Sequence, residues 1–413
     1  MKKLGAVLAI IGLLVILAAC GAAPSVSSTP APSALSGAPT TSGNEHVAFL
    51  AREDQQNSVR GTEVWSAISL FAGEEGIANS LYTVTNDDAL ATAELAIKSG
   101  ANAIVMMGND MLEAVNKGRV QHPDVYFLLI DAKQTLDAAQ NAVQIEISYG
   151  QAGWLAGYAA VMDGYTKLAY FQTDVQEVQQ RALGFVLGAE AAAETKGLGS
   201  AAIQIIPLSV TNADNFSEWR TAMSAAYGNG IQAIFANENS LRATALAAAK
   251  AAQGKIIDVA DVASAAKQKS DLVLTTVVQG VYNTVYGTLA SWKNGPQPAR
   301  GVVYSGISEG DISLVMESAG FTTFNQMSYQ ELQKLLEKDD LTAQILEKTL
   351  PSEDGVLPLT SQLGLTHVQI GYPQSPDKQN SEPQSGSDVG SAEGQTPPVE
   401  PEAPTSSAAE ATG

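Results

Sequence analysis

The sequence predicts an α/β fold of two doubly wound parallel-sheet lobes joined by a multi-strand hinge. Three observations carry this expectation. Short, largely apolar runs recur through the middle of the chain, for example at 103–108, 125–131, 142–147 and 255–260. Bounded runs of this kind suit strands buried on both faces. Ala-rich helical patterns separate them, at 61–72, 89–99, 151–162, 175–194, 217–227 and 241–252. Strand–helix alternation requires parallel pairing with helices on both sides of the sheet. Finally, the strands read this way are too many for one open sheet, so two lobes are needed.

Taken in order, the strand candidates 46–51, 80–85, 103–108, 125–131 and 142–147 build the N-terminal lobe. Those at 167–173, 202–209, 233–238, 255–260 and 272–279 build the C-terminal lobe. The division falls near Ser148. A helix over 281–293 crosses back to the first lobe. The segment from 302 onward, with strands at 302–307 and 312–317 and helices at 329–337 and 341–348, is expected to return to the second. The lobes are thus 45–147 with about 280–301, and 148–279 with about 302–372. Ligands in such folds sit at the carboxyl ends of the strands.

The flanks have other compositions. Lys2 and Lys3 precede an apolar run too short to span a bilayer comfortably, ending in Leu17-Ala18-Ala19-Cys20. Residues 1–19 read as a signal peptide of lipobox type, with Cys20, the single cysteine, as the lipidated residue. Residues 20–44 are rich in Ser, Thr, Pro, Ala and Gly and read as an extended linker. Residues 373–413 read as a disordered acidic tail. The expected location is the outer face of a bacterial cytoplasmic membrane, held to the lipid bilayer through Cys20.

Composition excludes several functions. Lys and Arg total 23 against 43 Asp and Glu, a formal charge of −20, which argues against a nucleic-acid partner. A single Cys and 3 His leave no disulfide framework and no Cys/His metal site. No Gly-rich phosphate or dinucleotide loop is present, so no cofactor is expected. One catalytic pattern stands out. Gly306-Ile307-Ser308-Glu309-Gly310 matches a hydrolase nucleophile elbow, with acids between it and His367 in the order hydrolases use. The stretch after it reads as a strand where an elbow needs a helix, so a tight turn is the competing reading.

The stretch Ile147-Ser-Tyr-Gly-Gln-Ala-Gly-Trp-Leu-Ala-Gly-Tyr-Ala-Ala-Val-Met162, followed by Arg181-Ala-Leu-Gly-Phe-Val-Leu-Gly-Ala189, resembles the basic membrane protein family. These are purine-nucleoside receptor-like (PnrA-like) solute-binding lipoproteins of the periplasmic binding protein type I fold. Phe127-Leu-Leu-Ile-Asp131, Lys255-Ile-Ile-Asp258 and Asp271-Leu-Val-Leu-Thr-Thr-Val-Val278 fit the same pattern. The resemblance implies a nucleoside held between the lobes and passed to an ABC permease, with aromatic rings on the base and carboxylates on the ribose hydroxyls. It assigns Asp131 and Asp258 to ligand contact. A turn or helix-cap role is the alternative for each.

Where the family carries Asp-Asp-X-Ser-Phe-Asn in its first loop, this chain has Glu53-Asp54-Gln55-Gln56-Asn57. Asp54 and Asn57 remain candidates, and the aromatic is missing. The basic residue implied after the late strand is Gln279. Trp219 could supply a stacking face or belong to the core. Asn237 and Glu238, just past an apolar strand, suit sugar or base hydroxyls, while Asn239 could cap the next helix. The expected function is a non-enzymatic, membrane-anchored solute-binding protein of an ABC importer, taking a nucleoside or related small polar ligand. The rivals are a sensor or interaction lipoprotein that keeps the fold without transport, and a serine hydrolase using Ser308.

Overall fold

The computed structural model describes residues 45–371 except 86–87, 138, 266–269, 296–297, 318 and 337–362. The leader with Cys20, the linker, the helix expected at 341–348 and the acidic tail lie outside the described residues. The first lobe begins with β1 (His46–Ala51), α1 (Glu53–Gln56), α2 (Val59–Glu75), β2 (Ala78–Thr83), α3 (Ala89–Lys98), β3 (Ala103–Met107), α4 (Leu112–Gln121), β4 (Tyr126–Ile130) and β5 (Ala142–Ile147). The second follows with α5 (Tyr149–Met162), β6 (Lys167–Phe171), α6 (Gln176–Thr195), β7 (Ile203–Leu208), α7 (Phe216–Gly228), β8 (Ala233–Ala236), α8 (Arg242–Ala252), β9 (Lys255–Ala260), α9 (Val262–Ala265) and β10 (Val273–Gln279). The chain then runs through α10 (Tyr282–Asn294), β11 (Gly301–Ser305), β12 (Ile312–Leu314), α11 (Gln326–Leu336) and β13 (Val368–Ile370).

The first sheet has the order β2-β1-β3-β4-β5-β11 and is parallel throughout. The second has the order β13-β7-β6-β8-β9-β10-β12, with only β12 antiparallel. Every residue of β3 and β4 is buried, because helices cover both faces. One face of the first sheet packs on α2 and α10 through Val64, Ile68, Phe71, Val285 and Leu289. The other packs on α3 and α4. The second sheet is covered likewise, by α5, α6 and α11 on one face and α7 and α8 on the other.

One expectation needs correcting. Residues from 302 onward were assigned to the second lobe, yet β11 pairs in parallel with β5, Gly301 opposite Val143 through Ser305 opposite Ile147. β5 would otherwise be an open edge beside a buried sheet, and β11 closes it. The return to the second lobe comes at Gly306. There Gly310 N donates to Ile307 O at 3.0 Å and Asp311 N to Gly306 O at 3.0 Å, a tight turn that leads into β12. Ser308 sits exposed on this turn with a strand after it, not a helix, so the nucleophile elbow does not form.

The three lobe crossings are tied together. Ser148 N donates to Ser305 O at 2.9 Å, Ser305 Oγ to Gly280 O at 2.7 Å, and Gly280 N to Asp311 O at 2.7 Å. The buried Asp311 carboxylate accepts from Asn283 N at 2.8 Å, Thr284 N at 2.9 Å and Thr284 Oγ1 at 2.6 Å. A carboxylate at the start of α10 also complements the helix dipole.

The small residues of α5 and α6 bring the two helices into backbone contact. A Cβ on Gly153 would stand 1.8 Å from Arg181 O, one on Gly157 2.0 Å from Phe185 O, and one on Gly184 1.8 Å from Gly150 O. By contrast, Gly73 inside α2 is exposed and has nothing within 4 Å of its Cβ position. Gly73→Ala is therefore expected to stabilise the protein by about 0.4–1 kcal/mol, by restricting the unfolded chain. A higher denaturant midpoint at unchanged slope would show it.

Candidate functional site

The carboxyl ends of the first sheet face the second lobe across a cavity of about 440 Å³. That volume suits a small ligand, for which roughly 300–1,000 Å³ is usual. Asp54, Ser58 and Arg60 follow β1, Gly108 and Asn109 follow β3, Asp131 and Lys133 follow β4, and Glu146 and Tyr149 flank the end of β5. The opposite wall is the first turns of α6, with Gln176, Glu177 and Gln180. The first wall is thus built from the carboxyl ends of β3, β4 and β5 and from the loop and helix start that follow β1, the side of such sheets where ligands bind.

Asp131 anchors this wall. Its backbone is left-handed, with φ of 56°, and among non-glycine residues Asp and Asn tolerate that conformation best. Tyr149 Oη donates to its Oδ1 at 3.0 Å. Glu146 stands beside it and accepts from Gln144 Nε2 at 3.0 Å. Burial pushes the Glu146 carboxyl above its ordinary pKa, and the Asp131 charge adds to this. Burial likewise raises the Tyr149 phenol, with Asp131 second, so it stays a donor. Neutral donors thus hold these acids, which leaves acceptor capacity toward the cavity.

The Glu146 shift has a stability consequence. A carboxyl whose folded pKa is raised contributes stability below its unfolded pKa, lost as pH rises through the folded value. At neutral pH the charged Glu146 therefore weakens the ligand-free fold. Glu146→Gln is expected to raise the melting temperature at pH 7 and to leave it little changed near pH 4. Calorimetry at the two values checks this, and an equal rise at both would contradict it.

The second lobe contributes Arg181. Its guanidinium carbon lies 4.9 Å from the Tyr149 ring centroid, Nη1 donates to Asn237 O at 2.8 Å, and Nε donates to Gln279 Oε1 at 3.2 Å. Arg60 reaches toward Gln279 O at 3.5 Å from the first lobe. A second cavity of about 680 Å³ is lined by Asn57, Val59, Glu63, Val278, Tyr282 and Asp311 among others. Burial raises the Glu63 carboxyl there, opposed by Arg60.

The structure sorts the residues singled out in the sequence. Asp54 and Asp131 line the first cavity, and Asn57 lines the second. Four expectations are corrected. Trp219 is 1% exposed, packs against Phe171 with tilted rings whose centroids are 5.2 Å apart, and donates Nε1 to Ala213 O at 2.9 Å, so it is core. Asn237 is fully buried and clamps two segments: Oδ1 accepts from Phe171 N at 2.9 Å, and Nδ2 donates to Phe171 O at 3.0 Å and Val178 O at 3.1 Å. Asp258 is fully buried mid-sheet and ion-paired to Arg242, since a buried carboxylate needs a cation. Glu238 lines neither cavity. It caps the turn before α8, accepting from Ser240 N at 3.3 Å.

Sequence reasoning missed Arg60, Glu146, Tyr149, Glu177, Gln180 and Arg181. For Glu146 a signal existed: Gln144 and Glu146 are the polar positions of an otherwise apolar strand, two apart and so on one face. Arg181 gave none, because its helix reads as a packing helix.

Two doubly wound lobes with a polar cavity between them define the periplasmic binding protein type I fold. Two solved structures share this fold. One, described as a transcriptional activator of the comK gene from Bacillus halodurans, is 16% identical with a TM-score of 0.53, covering 74% of this chain and 100% of its own. The other, an ABC transporter system solute-binding protein from Conexibacter woesei, is 16% identical with a TM-score of 0.53, covering 75% of this chain and 99% of its own. The chain belongs to the Bmp family of PnrA-like ABC transporter substrate-binding proteins, whose model matches residues 45–357. No curated protein matches the sequence.

Proposed function

We propose that this protein is the extracytoplasmic, lipid-anchored receptor of an ABC importer and binds a nucleoside or related small polar ligand between its lobes. The observation that supports this most is the cavity itself, with Asp54, Asp131 and Glu146 on one lobe facing Glu177 and Gln180 on the other. Strong acceptors in a partly desolvated cleft suit the hydroxyl groups of a ribose or similar ring. A ligand that bridges both walls binds the closed state better and shifts the lobes toward it. The closed form is then what the membrane permease receives. Cys20 is the attachment point to the bilayer in this reading. Among the described residues no helix is long and apolar enough to cross a membrane.

The test is a thermal-shift screen against nucleosides, nucleobases, sugars and amino acids. A ligand at one hundred times its Kd should add about 2.7 kcal/mol. A shift with nucleosides supports the full reading. A shift with another class keeps the receptor and changes its ligand. No shift with any class would favour a sensor or interaction role.

A further inference from the structure

Gln144 lies within β5 and is fully buried, where a strand covered on both faces calls for an apolar side chain. Its register neighbours are Leu129 of β4 and Val302 of β11. The amide is nevertheless satisfied. Oε1 accepts from Leu136 N, and Nε2 stands 3.2 Å from Ala132 O, 3.2 Å from Gln134 O and 3.0 Å from Glu146 Oε1. The acceptor end meets an N–H and the donor end meets three oxygens, so the amide fits in one orientation only. The backbone of residues 132, 134 and 136 is thereby wrapped round a single side chain. This loop starts at Asp131, with its left-handed backbone, and carries Lys133, whose N–H donates to Asn109 Oδ1 at 3.1 Å. Asp131, Lys133, Asn109 and Glu146 line the first cavity, while Gln144 lies behind them.

We propose that Gln144 is the positioning residue of the ligand wall: it holds the 131–136 loop and the Glu146 carboxylate in one arrangement, and so sets affinity without touching the ligand. This rests on the reading above that the first cavity is the ligand site. A core position needs only bulk, which Leu or Met supplies without the desolvation of an amide. What the amide adds is direction, because a fully satisfied buried network specifies one geometry. Acceptors that are already aimed spare the ligand the entropy of ordering them. Without the amide, Glu146 is free to turn, and Leu136 N, Ala132 O and Gln134 O lose their partner.

Calorimetric titration of the full chain with inosine and with uridine tests it. Gln144→Met, of similar length but without the hydrogen bonds, should bind about tenfold more weakly, the loss of one hydrogen bond to a charged group. Ile104→Val, a truncation elsewhere in the same lobe's core, should leave affinity unchanged. Gln144→Glu keeps an oxygen for Leu136 N and gives up the donor. At pH 8 two carboxylates then stand where the amide and Glu146 now lie 3.0 Å apart, and they repel. At pH 5.5 such a pair shares a proton, and the new acid can donate as the amide does. Its affinity relative to wild type should therefore be about tenfold down at pH 8 and recover at pH 5.5, which a merely structural defect would not do. Taking the ratio at each pH cancels the other groups facing Glu146, which are Asp54, Arg60, Asp131, Lys133, Tyr149, Glu177 across the cavity and Tyr304, its register partner on β11. If Gln144→Met fails to fold, Gln144→Glu decides alone. Unchanged affinity in Gln144→Met, an equal loss in Ile104→Val, or no recovery of Gln144→Glu at pH 5.5 overturns the inference and leaves the receptor standing. Binding of neither nucleoside by the wild type overturns the nucleoside reading and this inference together.

Discussion

Asp131→Asn is expected to weaken ligand binding by about 1.5–3 kcal/mol, the range for a hydrogen bond to a charged group, or roughly ten- to a hundredfold. Asn is chosen because it keeps the side-chain shape and tolerates the left-handed backbone at φ 56°. Ala would add backbone strain and confuse the result. Tyr149 Oη can still donate to the amide oxygen, so the wall should keep its form. Titration calorimetry with whichever solute the thermal screen identifies would measure the loss, with the melting temperature as control. Unchanged affinity would remove Asp131 from the ligand contacts. A Tyr149→Phe variant should show a smaller loss, since it deletes only the neutral donor.

Gly153→Ala should be far more damaging to stability. The new methyl would sit 1.8 Å from Arg181 O, a backbone atom of a neighbouring helix. Overpacking typically costs about 1–3 kcal/mol where flexible side chains can yield, and more where they cannot. Here α5 and α6 would have to separate along the crossing, so a loss of about 3 kcal/mol or more is expected. Gly184→Ala, which meets Gly150 O at 1.8 Å, should cost a similar amount. The double variant should cost less than the sum, because one displacement relieves both clashes. Denaturant titration of the second-lobe transition checks these values. Arg181 begins a stretch of α6 in this contact, so ligand affinity should fall along with stability.

The strands were legible because strands buried on both faces write themselves as largely apolar runs. β1, β5 and β9 begin and end where those runs do. The lobe membership of β11 was not legible. Its sequence, Gly-Val-Val-Tyr-Ser, suits the edge of either sheet, and only the open edge of β5 decides. In the site, Asp131 could be found from its place at a strand end. Asp258 and Asn237 occupy similar places in the sequence, but their side chains turn into the lobe to meet Arg242 and the Phe171 backbone. Direction at a strand end depends on which partner lies within reach, and that partner is remote in sequence. Arg181 was invisible for the same reason: its neighbours Tyr149, Asn237 and Gln279 come from three other elements.

The pairing of β11 with β5 shapes how the chain must acquire its structure. Gly301 meets Val143 only after most of the second lobe, from α5 through β10, has been threaded between them. Such a late, long-range pairing slows folding, because loop closure precedes any reward from contact. A nascent chain cut short before residue 301 would carry β5 as a bare parallel edge of buried apolar residues. Exposed edges of that kind recruit other chains. Fragments ending near residue 280 should therefore aggregate on synthesis, while the chain extended past Ser305 should not.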